Sequence, residues 1–486
     1  MTVMPIGRIP AFWAESDPDA PALSHEGETI SRGAFERRTN RLARAYEALG
    51  VREGDMVTIG LPNGIEFFEA CFATWKLGAT PQPISARLPR IERDMIVEVG
   101  NPRLVVGVPQ GTHGDTVCLP IGFEPDPALS DAPLPERVSR YWKAPTSGGS
   151  TGRPKIIVSN DPGLFDPMEK PLQMETGRTQ LVPGPLYHNG PFSFSMRGFC
   201  SGNHIIIMTR FDAEETLGLL ANHKVDWVNL VPTMMHRIWN LPAEIRNKYD
   251  LSSLRIVLHL AAPCPAWLKE EWINWLGPAR IHELYGGTEA QGFTWITGEE
   301  WLQHKGSVGR IGAGSQVRIV DEAGNVLPAG EIGEVFFMPD RGPGSTYHYI
   351  GASPKQIDGG WESIGDVGWL DEDGYLYLAD RHTDMILSGG ANIYPAEIEA
   401  AIEAFPGIRS SCVIGIPDDD MGNLVHAIID VPEPIDTEAL TSHLAERLVR
   451  YKIPRTFEYV SEPLRDDAGK VRRSQLRKER IEARAS

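Results

Sequence analysis

Thr146-Ser147-Gly148-Gly149-Ser150-Thr151-Gly152-Arg153-Pro154-Lys155, followed at once by Ile156-Ile157-Val158, is the stretch on which the reading of this chain turns. Glycine lets backbone N–H groups converge on an anion, and the hydroxyls of Ser147, Ser150 and Thr151 add donors beside the Lys155 cation. Such a strip can grip a polyphosphate, although the same composition also makes an ordinary surface turn. It is not a GxxxxGK[ST] phosphate loop, because Lys155 follows Pro154 and neither Ser nor Thr follows it. Gly148, Ser150 and Gly152 do satisfy the G-x-S-x-G pattern of a serine-hydrolase elbow, which needs a helix directly after its serine. The β-branched residues 156–158 favour a strand instead, which leaves Ser150 a weak candidate nucleophile.

Outward from this strip, strand and helix signals alternate. Residues 31–49 carry Phe35, Leu42, Ala45 and Leu49 at helical spacing before Gly50, residues 54–59 read as a strand, and residues 63–77 as a second helix. Strand signals recur at 104–108, 180–182, 204–208, 225–230 and 255–260, with helices at 192–199 and 233–239 between them. The alternation predicts a doubly wound α/β fold, whose ligands sit at the carboxyl ends of the strands. His259, Ala261, Ala262, Pro263 and Tyr285 fall at such ends. Short Val/Ile runs over 306–337 predict a β-rich subdomain, residues 111–135 and 341–360 read as loops, and a small α+β unit with a basic tail closes the chain.

The chain has 486 residues, too many for one compact core, so a large domain and a smaller one are expected. A formal charge of −18 argues against a nucleic-acid partner, because affinity for the phosphate backbone comes from clustered Lys and Arg. Five dispersed cysteines without CxxC spacing make a poor disulfide framework and fit a reducing cytoplasm. No apolar run is long enough to span a bilayer. A homodimer is one open assembly.

With Tyr285-Gly286-Gly287-Thr288-Glu289, Gly365-Asp366, Arg381 and Gly469-Lys470 downstream of the glycine strip, the chain from about residue thirty onward resembles the adenylate-forming superfamily of acyl-CoA synthetases, the AMP-dependent CoA ligases. The resemblance implies a large N-terminal adenylation domain over residues 1–382 and a small mobile domain over 383–486. It also implies activation of a carboxylic acid by ATP with Mg²⁺ to an acyl-adenylate and pyrophosphate, then transfer to coenzyme A. Thr146, Ser147, Gly148, Gly149, Ser150, Thr151, Gly152 and Lys155 would hold the β- and γ-phosphates. Ala261, Ala262, Pro263, Glu283, Leu284, Tyr285, Gly286 and Gly287 would line the nucleotide pocket, with Tyr285 stacked on adenine. Thr288 would donate to the α-phosphate, and Glu289 would ligate Mg²⁺.

Asp366 would accept both ribose hydroxyls, Arg381 would add a second contact, and Lys470 would bridge carboxylate and phosphate. For thiol attack, the small domain would swivel and exchange Lys470 for the face carrying Gly389 and Gly390. Two departures stand out, Thr383 where the family hinge is usually Asp or Lys, and Gly149 where Thr is common. His188, Asn189 and Gly190 resemble the segment bearing an acyl gate, and with Trp227, Met234 and His259 they predict a roomy, largely apolar acid pocket. The Gly-Gly-Ser-Thr-Gly form of the loop is similar to that of bile-acid or steroid-acid CoA ligases, which favours a steroid-like acid over a linear fatty acid. The alternatives are a free-standing enzyme that loads a carrier protein and a serine hydrolase built on Ser150.

Overall fold

Two parallel sheets carry the first two thirds of the chain. The computed structural model describes residues 2–148, 154–381, 384–388, 391–418, 421–466 and 469–485. In one sheet Thr80–Pro83, Met56–Ile59, Leu104–Val106 and Val117–Leu119 run parallel in that order. In the other the order is Pro21–His25, His204–Ile207, Thr179–Val182, Trp227–Leu230, Ile256–His259 and Ile281–Gly286, again parallel. Strands covered by helices on both faces need no polar side, which is why Ile205-Ile206-Ile207 and Val257-Leu258 are apolar without interruption and buried.

The second sheet is doubly wound. From Thr179–Val182 the chain adds His204–Ile207 on one side and then crosses to Trp227–Leu230 on the other. The strand order therefore reverses between Thr179–Val182 and Trp227–Leu230, and a crevice opens at the carboxyl ends of such a pair. Helix α1 (Asn189–Cys200) follows the first of these strands and helix α2 (Pro232–Trp239) follows the second. α1 is held by an aromatic cluster in which Phe199 packs on Phe72 with ring centroids 4.7 Å apart and on Phe35 at 4.9 Å. Each such buried ring contributes about 1.5–3 kcal/mol.

The β-rich part predicted for 306–337 exists, but as a continuation of the second sheet. Phe293–Thr297 pairs antiparallel with Ile281–Gly286, and Ser307–Ile311, Tyr375–Arg381, Asp366–Leu370 and Gly333–Pro339 follow outward. Two loop expectations are corrected. Residues 111–135 contain the edge strand Val117–Leu119, and residues 341–360 contain Tyr347–Ile350 and Lys355–Ile357. Tyr347–Ile350 completes a three-stranded sheet with Pro154–Ser159 and Thr146–Gly148. The glycine strip thus leads into a strand, and the helix that a nucleophile elbow requires is not there.

The last hundred residues form a smaller β/α unit. Ser410–Asp418 and Gly422–Asp430 pair antiparallel, and Thr456–Val460 lies parallel to the latter. Helix α3 (Pro395–Glu403) packs on this sheet, and the basic tail is helix α4 (Arg473–Ala485). The expected boundary between residues 382 and 383 lies outside the described residues.

Candidate active site

The carboxyl end of Ile281–Gly286 delivers Tyr285, whose hydroxyl donates to Asp366 Oδ2 at 2.6 Å. Asp366 opens its own strand directly opposite Arg381, so two residues fifteen positions apart become cross-strand partners. Beyond Tyr285 the chain turns through Gly287, where a Cβ would sit 2.9 Å from Glu289 Oε2, and Ala290 takes φ +55°. The turn folds Glu289 inward to 6% exposure. Its Oε1 accepts from the Tyr349 hydroxyl at 2.5 Å and pairs with Lys155 Nζ at 3.4 Å, while Lys155 also donates to Tyr349 at 3.0 Å and lies 4.2 Å from that ring's centroid. Thr346 Oγ1 donates to the Glu289 carbonyl at 2.9 Å. The lysine that ends the glycine strip and the last residue of the Tyr-Gly-Gly-Thr-Glu run are thereby brought together by a strand that sequence reasoning took for a loop. Thr146, at the foot of the strip, accepts from Gln82 Nε2 at 3.2 Å.

The other wall is the crevice at the strand reversal. His188 is half-buried and precedes α1, and its Nε2 has no hydrogen-bond partner among the described residues. Burial first, and the charge of Lys470 second, push its pKa down to about 3, so the ring is neutral. Gly190 faces Leu260, which a Cβ there would approach to 3.4 Å, and Phe194 stacks edge-on against Trp227 at 5.6 Å. Trp227 and Met234 are buried in the surrounding core at 1% and 4% exposure. His259 is fully buried and neutral, its pKa well below the usual value through burial, with Nε2 3.9 Å from Glu283 Oε2. The Glu283 carboxylate, 7% exposed, is taken by Lys269 Nζ at 2.6 Å. Ala261 is exposed at the strand end and held at φ +76°. Ser150, Gly149, Thr151, Gly152, Thr383, Gly389 and Gly390 lie outside the described residues.

Lys143 is a residue that sequence reasoning missed. It is buried at 7% exposure, donates to Asn189 Oδ1 and to Ser193 Oγ at 2.7 Å, and has no carboxylate within ion-pair distance among the described residues. Burial pushes its pKa down to about 7. An unfolded lysine titrates near 10.4, so between the two values the unfolded chain binds more protons and stability rises with pH. Below pH 7 that gain is absent. Urea unfolding of the parent and of Lys143→Met at pH 6.5 and pH 9 is expected to show the parent's advantage growing by ~1.4 kcal/mol per pH unit across the window.

Lys470 sits on a turn that the small unit extends toward this crevice. Its N–H donates to Asp466 Oδ1 at 2.9 Å, and Arg465 bridges to Val471 across the turn. Gly469, at φ +76°, touches the start of α2, because a Cβ there would lie 2.9 Å from Thr233 Oγ1 and 3.2 Å from Val231 Cγ2. The base of the turn is fixed by buried ions. Arg473 Nη1 meets Glu399 Oε1 at 2.5 Å, Arg473 Nε meets Asp384 Oδ2 at 3.2 Å, and Arg465 meets Glu399 and Glu403 at 3.5 Å.

Among the described residues no cluster of three or more His, Cys, Asp or Glu could cage a metal. A magnesium ion held mainly by substrate phosphates needs only one or two carboxylates. Glu289 fits that need, since the hydrogen bonds described to its carboxylate both fall on Oε1. Among the described residues no helix is long and apolar enough to cross a membrane, and the five cysteines are free.

The family described as AMP-binding enzyme matches residues 11–349, and the AMP-binding enzyme C-terminal domain matches residues 397–470. A feruloyl-CoA synthase from an Amycolatopsis species is 31% identical over 97% of this chain and 98% of its own length. The long-chain-fatty-acid–CoA ligase FadD13 of Mycobacterium tuberculosis is 29% identical over 90% of this chain and 91% of its own. The structure of o-succinylbenzoate CoA synthetase from Bacillus subtilis with its acyl-adenylate intermediate superposes with a TM-score of 0.83 at 25% identity, covering 98% of each chain.

Proposed function

We propose, on the premise that this chain belongs to the AMP-binding enzyme family and is an ATP-dependent, acyl-adenylate-forming CoA ligase, that its acid is a bulky, largely apolar carboxylate. The observation that carries this reading is the lining of the crevice. Gly190 meets Leu260 there and Phe194 meets Trp227, apolar contacts beside a neutral His188. Two relatives of this chain are named for acids with apolar bodies, feruloyl and long-chain fatty acyl. A steroid-like acid rests on the loop sequence alone and is one class to try among these.

The chemistry is electrostatic. A carboxylate must approach the α-phosphorus of ATP while negative charge accumulates on phosphate oxygens. Tyr285 would face adenine with its hydroxyl fixed by Asp366, and Asp366 with Arg381 would hold the ribose. Lys155, held by Tyr349 and Glu289, would meet the terminal phosphates together with the glycine strip. Magnesium, when bound, offsets charge on the phosphates, and Glu289 is the residue that would hold it, with Thr288 donating to the α-phosphate. Lys470, beside His188, would bring the acid to the phosphate, and residues 383–486 would then swivel to admit CoA along Gly389 and Gly390. A reducing cytoplasm suits the five free thiols.

Pyrophosphate release with cinnamic, medium-chain, long-chain and steroid acids, each with and without CoA, tests the reading. Bulky apolar acids are expected to exceed acetate or malonate in kcat/KM by at least tenfold. Preference for a small or dicarboxylic acid defeats it, and adenylate without thioester when CoA is present defeats the choice of acceptor.

A further inference from the structure

Beyond the crevice at its start, α1 borders a second cavity at its other end. About 270 Å³ of space lies among Ile6, Trp142, Phe165, Met196, Arg197 and Cys200, with Asp161 and Glu169 also on its rim. The volume falls just under the ~300–1,000 Å³ range in which drug-sized ligands bind. It lies toward the carboxyl end of α1, beyond the residues that meet at the acyl crevice. Gly190 and Phe194, one turn apart, face Leu260 and Trp227, whereas Met196, Arg197 and Cys200 face the cavity.

The lining is mostly apolar and holds one cation, Arg197, beside the two carboxylates Asp161 and Glu169. Arg197 is half-buried and makes no hydrogen bond or ion pair among the described residues; its guanidinium carbon lies 5.5 Å from the centre of the Trp142 ring. Lys143 Nζ lies 4.4 Å from the centre of the same ring. A guanidinium and a buried amine therefore share one indole. Asp161, the nearby carboxylate, is occupied by Arg341 at 2.8 Å, and Glu169 is exposed at the rim. A guanidinium held over an aromatic face, with its fork of donors unused, is suited to a planar carboxylate. The apolar lining would take a ring or short chain attached to it.

We propose that this cavity is a second binding site, separate from the acyl crevice, for a small amphipathic carboxylate, with Arg197 receiving the carboxylate and Trp142, Phe165, Ile6 and Met196 enclosing the apolar body. The site does not depend on the ligase reading, because its test reads binding and not turnover.

The probe is 4-(4-bromophenyl)butyrate, titrated calorimetrically into the full chain, with the corresponding alcohol and amine as charge controls. The carboxylate is expected to bind at least tenfold more tightly than either control. Arg197→Met should weaken it at least tenfold with an unchanged melting temperature, and Cys200→Trp, which crowds the cavity from a buried position, should abolish it. Anomalous scattering from bromine in a crystal should then place the ring against Trp142. Equal binding of the alcohol, no binding at all, or bromine beside Phe194 and Trp227 would each overturn the proposal. The charge controls use the parent protein, so they decide the matter even if a variant misfolds.

Discussion

Lys470→Met is expected to slow acyl-adenylate formation about 10²–10³-fold, the cost of removing one preorganised donor to developing phosphate charge, while transfer of a supplied acyl-adenylate to CoA stays within a few-fold of the parent. The asymmetry follows from where the lysine sits. Its turn reaches the crevice between the two reversing strands, close enough to His188 for its charge to help hold that ring neutral. On the proposed reading a cation there would serve the approach of acid to phosphate and would have no task once the anhydride exists. Labelled-pyrophosphate exchange reads the first step, and thioester formation from synthetic adenylate reads the second. If both fell together, Lys470 would be supporting the fold or the site as a whole.

Gly469→Ala is expected to slow the first step by about tenfold or more and to spare the second. A methyl group at residue 469 meets Thr233 Oγ1 at 2.9 Å and Val231 Cγ2 at 3.2 Å, and φ of +76° adds roughly 1–2 kcal/mol of backbone strain for a residue with a Cβ. The clash exists only while the turn is docked on α2, so it penalises that arrangement specifically. Thr233→Ala in the same chain removes the closest atom and should recover part of the lost exchange rate, leaving the backbone strain. Absence of any recovery would mean that contact with Thr233 is not what seats the lysine.

Much of the architecture could be read from local pattern. The apolar runs at 204–208, 225–230 and 255–260 became central strands because buried strands need no polar face, and the reversal of their order put His188 and Val231 at one crevice. Legibility failed where a residue's meaning depends on distant partners. Glycines at 342, 344, 351, 359 and 360 made 341–360 look like loop, yet Tyr347-His348-Tyr349-Ile350 is an aromatic, β-favouring run between them, and its neighbour in the sheet is Pro154–Ser159. Tyr349 reaches Lys155 and Glu289 only through that pairing. Lys143 was silent because its partners Asn189 and Ser193 lie more than forty residues on, and nothing nearby marks a buried amine. Glu283 was assigned to the nucleotide by resemblance alone, and nothing in its local sequence shows that Lys269, fourteen residues earlier, takes its carboxylate.

The ions around Arg473 bear on how force passes through the small unit. Asp384 comes immediately after the residues where rotation would occur, and through Arg473 it is tied to Glu399 and so to the base of the lysine turn. If the small unit swivels as proposed, torque at that pivot would reach the ammonium through these ion pairs, as through a crank of one casting. Salt would hardly soften that casting, since its charges are shielded from water, but it would weaken the exposed Arg472–Glu92 pair, 3.8 Å apart, that links the tail's edge to the larger body. Ionic strength should therefore govern how readily the crank lets go and not how stiffly it turns.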